Sequence, residues 1–290
     1  MRIISSPRVM RAACKAYQRG HTHQTVGLVP TMGALHEGHL SLVRASRERC
    51  DRTVVSLFVN PLQFGPTEDL ARYPCTLQQD IQLLEEEGVD LLFAPSPEEM
   101  YPLGMETIVD VPATGGRLDG ASRPGHFRGV ATVVAKLFNI VQPDAAFFGA
   151  KDAAQVAVLR KMVQDLNFDL DLIVCPIVRE TSQLAMSSRN RYLGEQERVE
   201  AETLSRSLRA VMHLVQKGER RVQTIRETLR EELAHSELLK VDYAELVNPD
   251  TLETLQEDIL PAETLVAVAA WIGTTRLIDN CTLRIDGAIA

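Results

Sequence analysis

Short apolar runs rich in β-branched residues alternate with longer amphipathic stretches through the first 178 positions, a pattern that predicts parallel strands joined by helical crossovers. Strands are expected at residues 25–30 (TVGLVP), 53–60 (TVVSLFVN), 89–95 (VDLLFAP), 143–149 (PDAAFFG) and 170–178 (LDLIVCPIV). Helices are expected at 38–50, at 76–88 with Gly88 as the stop, at 129–142 and at 152–166. The economical α/β fold is a Rossmann-like doubly wound parallel sheet, which holds its ligands at the carboxyl ends of the strands. Beyond Val178 the texture changes. Two charged amphipathic helices, 193–218 and 222–236, precede three strands at 241–249, 265–273 and 275–283 that read as antiparallel. Residues 1–178 are therefore expected to form the Rossmann-like domain and 179–290 a smaller C-terminal α+β domain.

The first predicted strand runs into VPTMGALHEGHLSLV, which sets His36 and His39 around Gly38. On spacing alone three roles are open to the pair. Metal ligation would need a third protein ligand, and the zinc-protease helix places three residues between its histidines where this chain has two. A structural role would have the imidazoles cap or pack the helix start. Phosphate chemistry would use the strand–glycine loop–helix order, because free N–H groups and the helix dipole converge there on one anion. Two further stretches suit the phosphate role. FFGAKDAAQ puts Gly149, Lys151 and Asp152 between a strand and a helix, and LAMSSRN puts Ser187, Ser188 and Arg189 just past the domain boundary. Either one alone reads as ordinary polar surface; it is the combination with the histidines that carries weight.

Taken together, PTMGALHEGH, FVNPLQF, RYPCTLQQD, RPGHFRGV, FGAKDAAQ and MSSRN closely resemble the pantothenate synthetase (pantoate–β-alanine ligase) family of the nucleotidylyltransferase superfamily, in order and spacing over essentially the whole chain. The resemblance implies condensation of (R)-pantoate with β-alanine, with ATP and Mg2+, through a pantoyl adenylate. It implies that Met32, Gly33, His36, Gly38 and His39 lie along ATP, with Gly149, Lys151, Asp152, Val178, Met186, Ser187, Ser188 and Arg189 at the other ATP-contacting positions. His39, His36, Lys151, Ser187 and Arg189 would stabilise the reacting phosphates. Gln63 and Gln155 match the pantoate positions, and Asn60, Gln63, Tyr73 and Arg123 those near β-alanine. No protein ligand of magnesium is assigned, the ion being expected mainly on the ATP phosphates. A homodimer is implied by the family alone. Two departures stand out: Ala153-Ala154 where the family often has an aromatic and a second glutamine, and Ser182-Gln183 where Asp-Gly is usual. The loop 181–190, at the domain junction, is expected to act as a lid over a water-sensitive intermediate.

Composition narrows the alternatives. A formal charge of −8 without a basic run removes the footprint of a nucleic-acid binder, so a tRNA synthetase is disfavoured. Another nucleotidylyltransferase would share the histidines but have no use for the Gln63 and Gln155 pair. A non-catalytic nucleotide-binding module would not need Lys151 and Arg189 together. Five widely spaced cysteines without a Cys-x-x-Cys pair indicate neither a disulfide framework nor a zinc site. The opening residues lack a signal-peptide core and LVAVAAWI falls short of a membrane span, so no membrane partner is expected and the reading is cytoplasmic.

Overall fold

The computed structural model describes residues 1–19, 24–66 and 68–285. Among these, six strands, β1 (Arg2–Ile4), β2 (Val26–Thr31), β3 (Arg52–Leu57), β4 (Leu91–Phe93), β5 (Ala145–Gly149) and β6 (Asp171–Cys175), form one parallel sheet in the order β1-β4-β3-β2-β5-β6. The crossovers use the helices α1 (Pro7–Gln18), α2 (Glu37–Arg49) and α3 (Leu77–Glu86), the single turns α4 (Pro97–Met100), α5 (Pro112–Gly115) and α6 (Asp119–Ser122), and the helices α7 (His126–Val141) and α8 (Ala153–Asp165). Neighbouring strands pair in parallel register, Val29 opposite Val55 and Phe147 opposite Ile173. Such strands are covered on both faces and read as continuous apolar runs, as these do. Val29, Val55, Leu57, Leu92 and Phe147 are buried in one cluster with Leu42 and Val43 of α2.

A second sheet, β7 (Leu239–Val247), β8 (Glu263–Ile272) and β9 (Thr275–Arg284), is an antiparallel meander. The helices α9 (Glu195–Gln216) and α10 (Val222–Leu233) contribute Leu204, Leu208, Val211, Ile225 and Leu229 to a core shared with Val266, Val268 and Leu277 of the sheet. By contacts the chain divides into two compact units, Met1–Ala150 with Val158–Cys175, and Lys151–Ala157 with Pro176–Ala290. The sequence suggests one cut at residue 178. The observed division instead assigns the short segment carrying Lys151 and Gln155 to the second unit.

The expected elements are present, with ends shifted by a few residues. The strand expected at 170–178 stops at Cys175, because Pro176 has no N–H for the ladder. The one expected at 53–60 stops at Leu57, and Asn60 then caps a 3-10 turn, Pro61–Gln63. Neither β1 nor α1 is expected from the sequence pattern. Three residues give too little alternation to register as a strand, although Ser6-Pro7 is a helix-start signal.

Candidate active site

The strand order of the large sheet reverses between β2 and β5, since β3 and β4 build outward from one side of β2 while β5 and β6 lie on the other. A reversal of this kind opens a crevice at the carboxyl ends of the two central strands. The loop leaving β2 carries Met32, Gly33 and Ala34, the latter two with φ of +87° and +51°, before α2 begins at Glu37. A left-handed backbone at an alanine needs support, and Asp80 of α3 supplies it. The carboxylate, 2% exposed, accepts the N–H groups of Ala34 and Leu35 at 2.9 Å each, together with the Thr76 hydroxyl at 3.1 Å. This clamp fixes the bend that delivers His36 as the N-cap of α2.

His36 and His39 are half-buried and stacked, with ring centroids 4.0 Å apart. The His36 N–H donates to His39 Nδ1 at 3.4 Å. In a neutral ring, an accepting Nδ1 places the proton on Nε2. Gly38 occupies the second position of α2, and Gly149 ends β5, directly ahead of the 3-10 turn Ala150–Asp152.

Gln63 is the hub of the remaining first-unit residues. Its Nε2 donates to Met32 Sδ at 3.0 Å and its Oε1 accepts from Asn60 Nδ2 at 3.0 Å. Its main-chain oxygen accepts from His126 Nδ1 at 2.8 Å and from Arg123 at 3.4 Å. Close approach makes this possible: a Cβ at Gly129 of α7 would lie 2.2 Å from the Leu62 carbonyl oxygen. Arg123 grips Glu68 through two N–H groups at 2.8 and 2.6 Å, and its Nη1 donates to His126 Nε2 at 3.1 Å. Burial opposes the Glu68 charge, yet Arg123 outweighs it and holds the carboxyl below its usual range. Burial, and then the Arg123 charge, push the His126 imidazole down to about 4. Tyr73 is buried, edge-on to Phe64 with ring centroids 5.9 Å apart.

Asn60 stands behind Gln63. Expected near a second substrate, it is 1% exposed, and its amide is committed to protein partners: Nδ2 to Gln63 and to the Gly129 carbonyl, Oδ1 to the Leu62 N–H and the Tyr101 hydroxyl. It holds Gln63 in place. Spacing alone could not show this, because Gly129 and Tyr101 are far off in sequence.

In the second unit, the Lys151 ammonium is 3.3 Å from Asp152, and the Lys151 carbonyl accepts from Asn280 of β9 at 2.8 Å. Gln155 is half-buried on α8. Val178 and Met186 meet across a small hairpin, the Met186 N–H donating to the Val178 carbonyl at 3.0 Å and Glu180 N–H to Leu184 O at 2.8 Å. Gln183, in the place of the family's usual glycine, turns this hairpin at φ +75°. Ser187 caps the next 3-10 turn by accepting the Arg189 N–H, while Ser188 is buried. Arg179 holds Asp279 bidentately at 2.7 and 3.0 Å, and Glu180 is held by Asn190 and Arg198. The base of the loop expected as a lid is thus fastened to α9 through Glu180 and to β9 through Arg179. Among the described residues no group of three or more His, Cys, Asp or Glu side chains could hold a metal ion. All five cysteines are free thiols.

A doubly wound sheet with a histidine-bearing helix start at its switch point defines a nucleotide-binding α/β enzyme of the nucleotidylyltransferase kind. A sequence model described as pantoate-beta-alanine ligase matches residues 2–282. Pantothenate synthetase of Acidobacterium capsulatum is 58% identical over 260 residues, 90% of this chain and 86% of that protein. That of Koribacter versatilis is 53% identical, over 99% and 97% of the two. The crystal structure of pantothenate synthetase from Thermus thermophilus superposes with a TM-score of 0.90 at 45% identity, covering 98% of this chain and 99% of that one. The Francisella tularensis pantoate-beta-alanine ligase, complexed with beta-gamma ATP and beta-alanine, gives 0.79 at 32%, covering 99% of each. The chain belongs to the pantoate–β-alanine ligase family.

Proposed function

We propose that this protein condenses (R)-pantoate with β-alanine at the expense of ATP, giving pantothenate, AMP and pyrophosphate. The observation that carries the reading is a family match over nearly the whole chain, with Gln63, Met32 and the histidine pair in one structured neighbourhood. In the first step a pantoate carboxylate oxygen attacks the α-phosphorus of ATP and the bond to pyrophosphate breaks. In the second the neutral amine of β-alanine attacks the acyl carbon, AMP leaves with the C–O electron pair, and the amine proton is lost to solvent.

Two anions must meet in the first step, so positioning and charge neutralisation dominate. The N-terminus of α2, His36 and His39 Nε2 face the phosphates in this reading. With Nδ1 accepting the His36 N–H, His39 has Nε2 to offer to the charge that develops on the phosphates. Lys151, Ser187 and Arg189 supply the remaining donors, and Gly33, Gly149, Asp152, Val178, Met186 and Ser188 shape the ATP-binding backbone. Gln63 and Gln155 take pantoate; Arg123 and Tyr73 serve β-alanine. Mg2+ would be carried mainly by the ATP phosphates, whose charge it would neutralise. The enzyme works in the cytoplasm as a homodimer, as the family resemblance implies; no helix among the described residues is long and apolar enough to cross a membrane.

The test is isotope exchange between pyrophosphate and ATP. Exchange is expected to require (R)-pantoate and Mg2+ but not β-alanine, and to fall by roughly two to three orders of magnitude in His39→Ala. Exchange without pantoate, or an unimpaired His39→Ala enzyme, would refute the reading.

A further inference from the structure

Gln63 can present either end of its amide to a ligand, and the chain behind it settles which. Gly129 offers Asn60 a carbonyl oxygen at 3.1 Å and Leu62 offers it an N–H at 3.2 Å, so Asn60 Nδ2 must face the first and Oδ1 the second. The remaining Asn60 N–H then points at Gln63 and requires an acceptor there, Oε1 at 3.0 Å. Gln63 is left with its nitrogen outward, resting on the Met32 thioether at 3.0 Å. A thioether is a weak acceptor, so a carboxylate or hydroxyl oxygen takes that donor at little cost. One more bond completes the series: the Tyr101 hydroxyl donates to Asn60 Oδ1 at 2.6 Å.

We propose that Tyr101 is a positioning residue for the acid substrate, acting through Asn60 to hold Gln63 as an outward N–H donor that selects an oxygen acceptor. The geometry suits the task. The Tyr101 ring is held edge-on by Phe58, ring centroids 5.8 Å apart, and Lys136 lies over its face at 5.9 Å. Burial pushes the phenol well above its ordinary range, so it stays a donor at any working pH. Donation to Oδ1 polarises the Asn60 amide and strengthens its N–H toward Gln63, whose own N–H is strengthened in turn. Tyr101 touches no reacting atom; its effect reaches the substrate only through two amides.

The proposal rests on the assignment of Gln63 to pantoate, and the experiment separates the two. Steady-state kinetics and separate ligand titrations are run on Tyr101→Phe, Gln63→Ala and the double variant, with thermal unfolding as the check on folding. Tyr101→Phe keeps both ring contacts. It is expected to raise KM for pantoate about five- to tenfold, the worth of one buried neutral hydrogen bond, with kcat and ATP affinity changed by less than about twofold. In the Gln63→Ala background the same substitution is expected to add nothing. An unchanged pantoate KM in Tyr101→Phe, an equal loss of ATP affinity, or a full additive effect in the double variant would overturn the positioning role. If Gln63→Ala alone leaves pantoate affinity intact, it is the underlying assignment that fails.

Discussion

Asp80 does for the histidine loop what no residue inside the loop can do. Its two oxygens satisfy adjacent N–H groups across a bend that includes a left-handed alanine, and it stands 46 residues away from Ala34. In Asp80→Asn one oxygen becomes an NH2 that confronts an N–H. The expected outcome is a loss of about 2 kcal/mol of stability by urea unfolding, the cost of an unsatisfied buried donor, and at least a roughly tenfold slower pyrophosphate exchange as His36 and His39 lose their fixed approach. Asp80 closes the stretch RYPCTLQQD, but nothing in that stretch shows that its carboxylate clamps the histidine loop. Residues such as His39, Gly38 and Lys151 are legible because they sit where a strand turns into a helix. The contacts through which Asp80, His126 and Asn280 act as supports become visible only once the fold has brought their partners together.

At the scale of elements, the amphipathic periods of α2, α7 and α9 are plain in the sequence because each covers several turns, whereas β1 spans three residues and leaves almost no periodic trace. Gly129 shows a limit of propensity reasoning. Alanine is the better helix former, by about 1 kcal/mol, yet here an added methyl would sit 2.2 Å from the Leu62 oxygen and 2.6 Å from the Gln63 nitrogen. The turn Pro61–Gln63 would be forced off the helix. Gly129→Ala is therefore expected to destabilise the protein by about 1 to 3 kcal/mol and to weaken pantoate binding while leaving ATP titrations nearly unchanged. Urea unfolding and separate ligand titrations check both parts.

For the molecule as a whole, the class of fold follows from alternating strand and helix patterns, but the order β1-β4-β3-β2-β5-β6 does not, since five interchangeable apolar runs say nothing of who pairs with whom and β1 is not among them. Global stability carries a pH signature. His126 donates from Nδ1 and accepts at Nε2, which fits the neutral ring, and its native pKa near 4 lies below the unfolded value of about 6.5. Between those values the unfolded chain binds more protons, so stability rises with pH. Acidification from about pH 6.5 to about pH 4 is expected to remove roughly 3 kcal/mol through this group. Glu68 adds a second, more acidic window. Its depressed pKa gives stability that is present above about 4.3 and is lost as the pH falls through the lower native value. Urea unfolding across this range should show a steeper acid loss for the natural protein than for His126→Gln, which retains a donor and an acceptor but has no proton to gain.

The bond from Asn280 to the Lys151 carbonyl spans 129 residues of chain. On a ribosome, then, the histidine loop and its Asp80 clamp have been synthesised long before the turn bearing Lys151 can be pinned. A nascent chain lacking β9 would lack the partner of the Lys151 carbonyl.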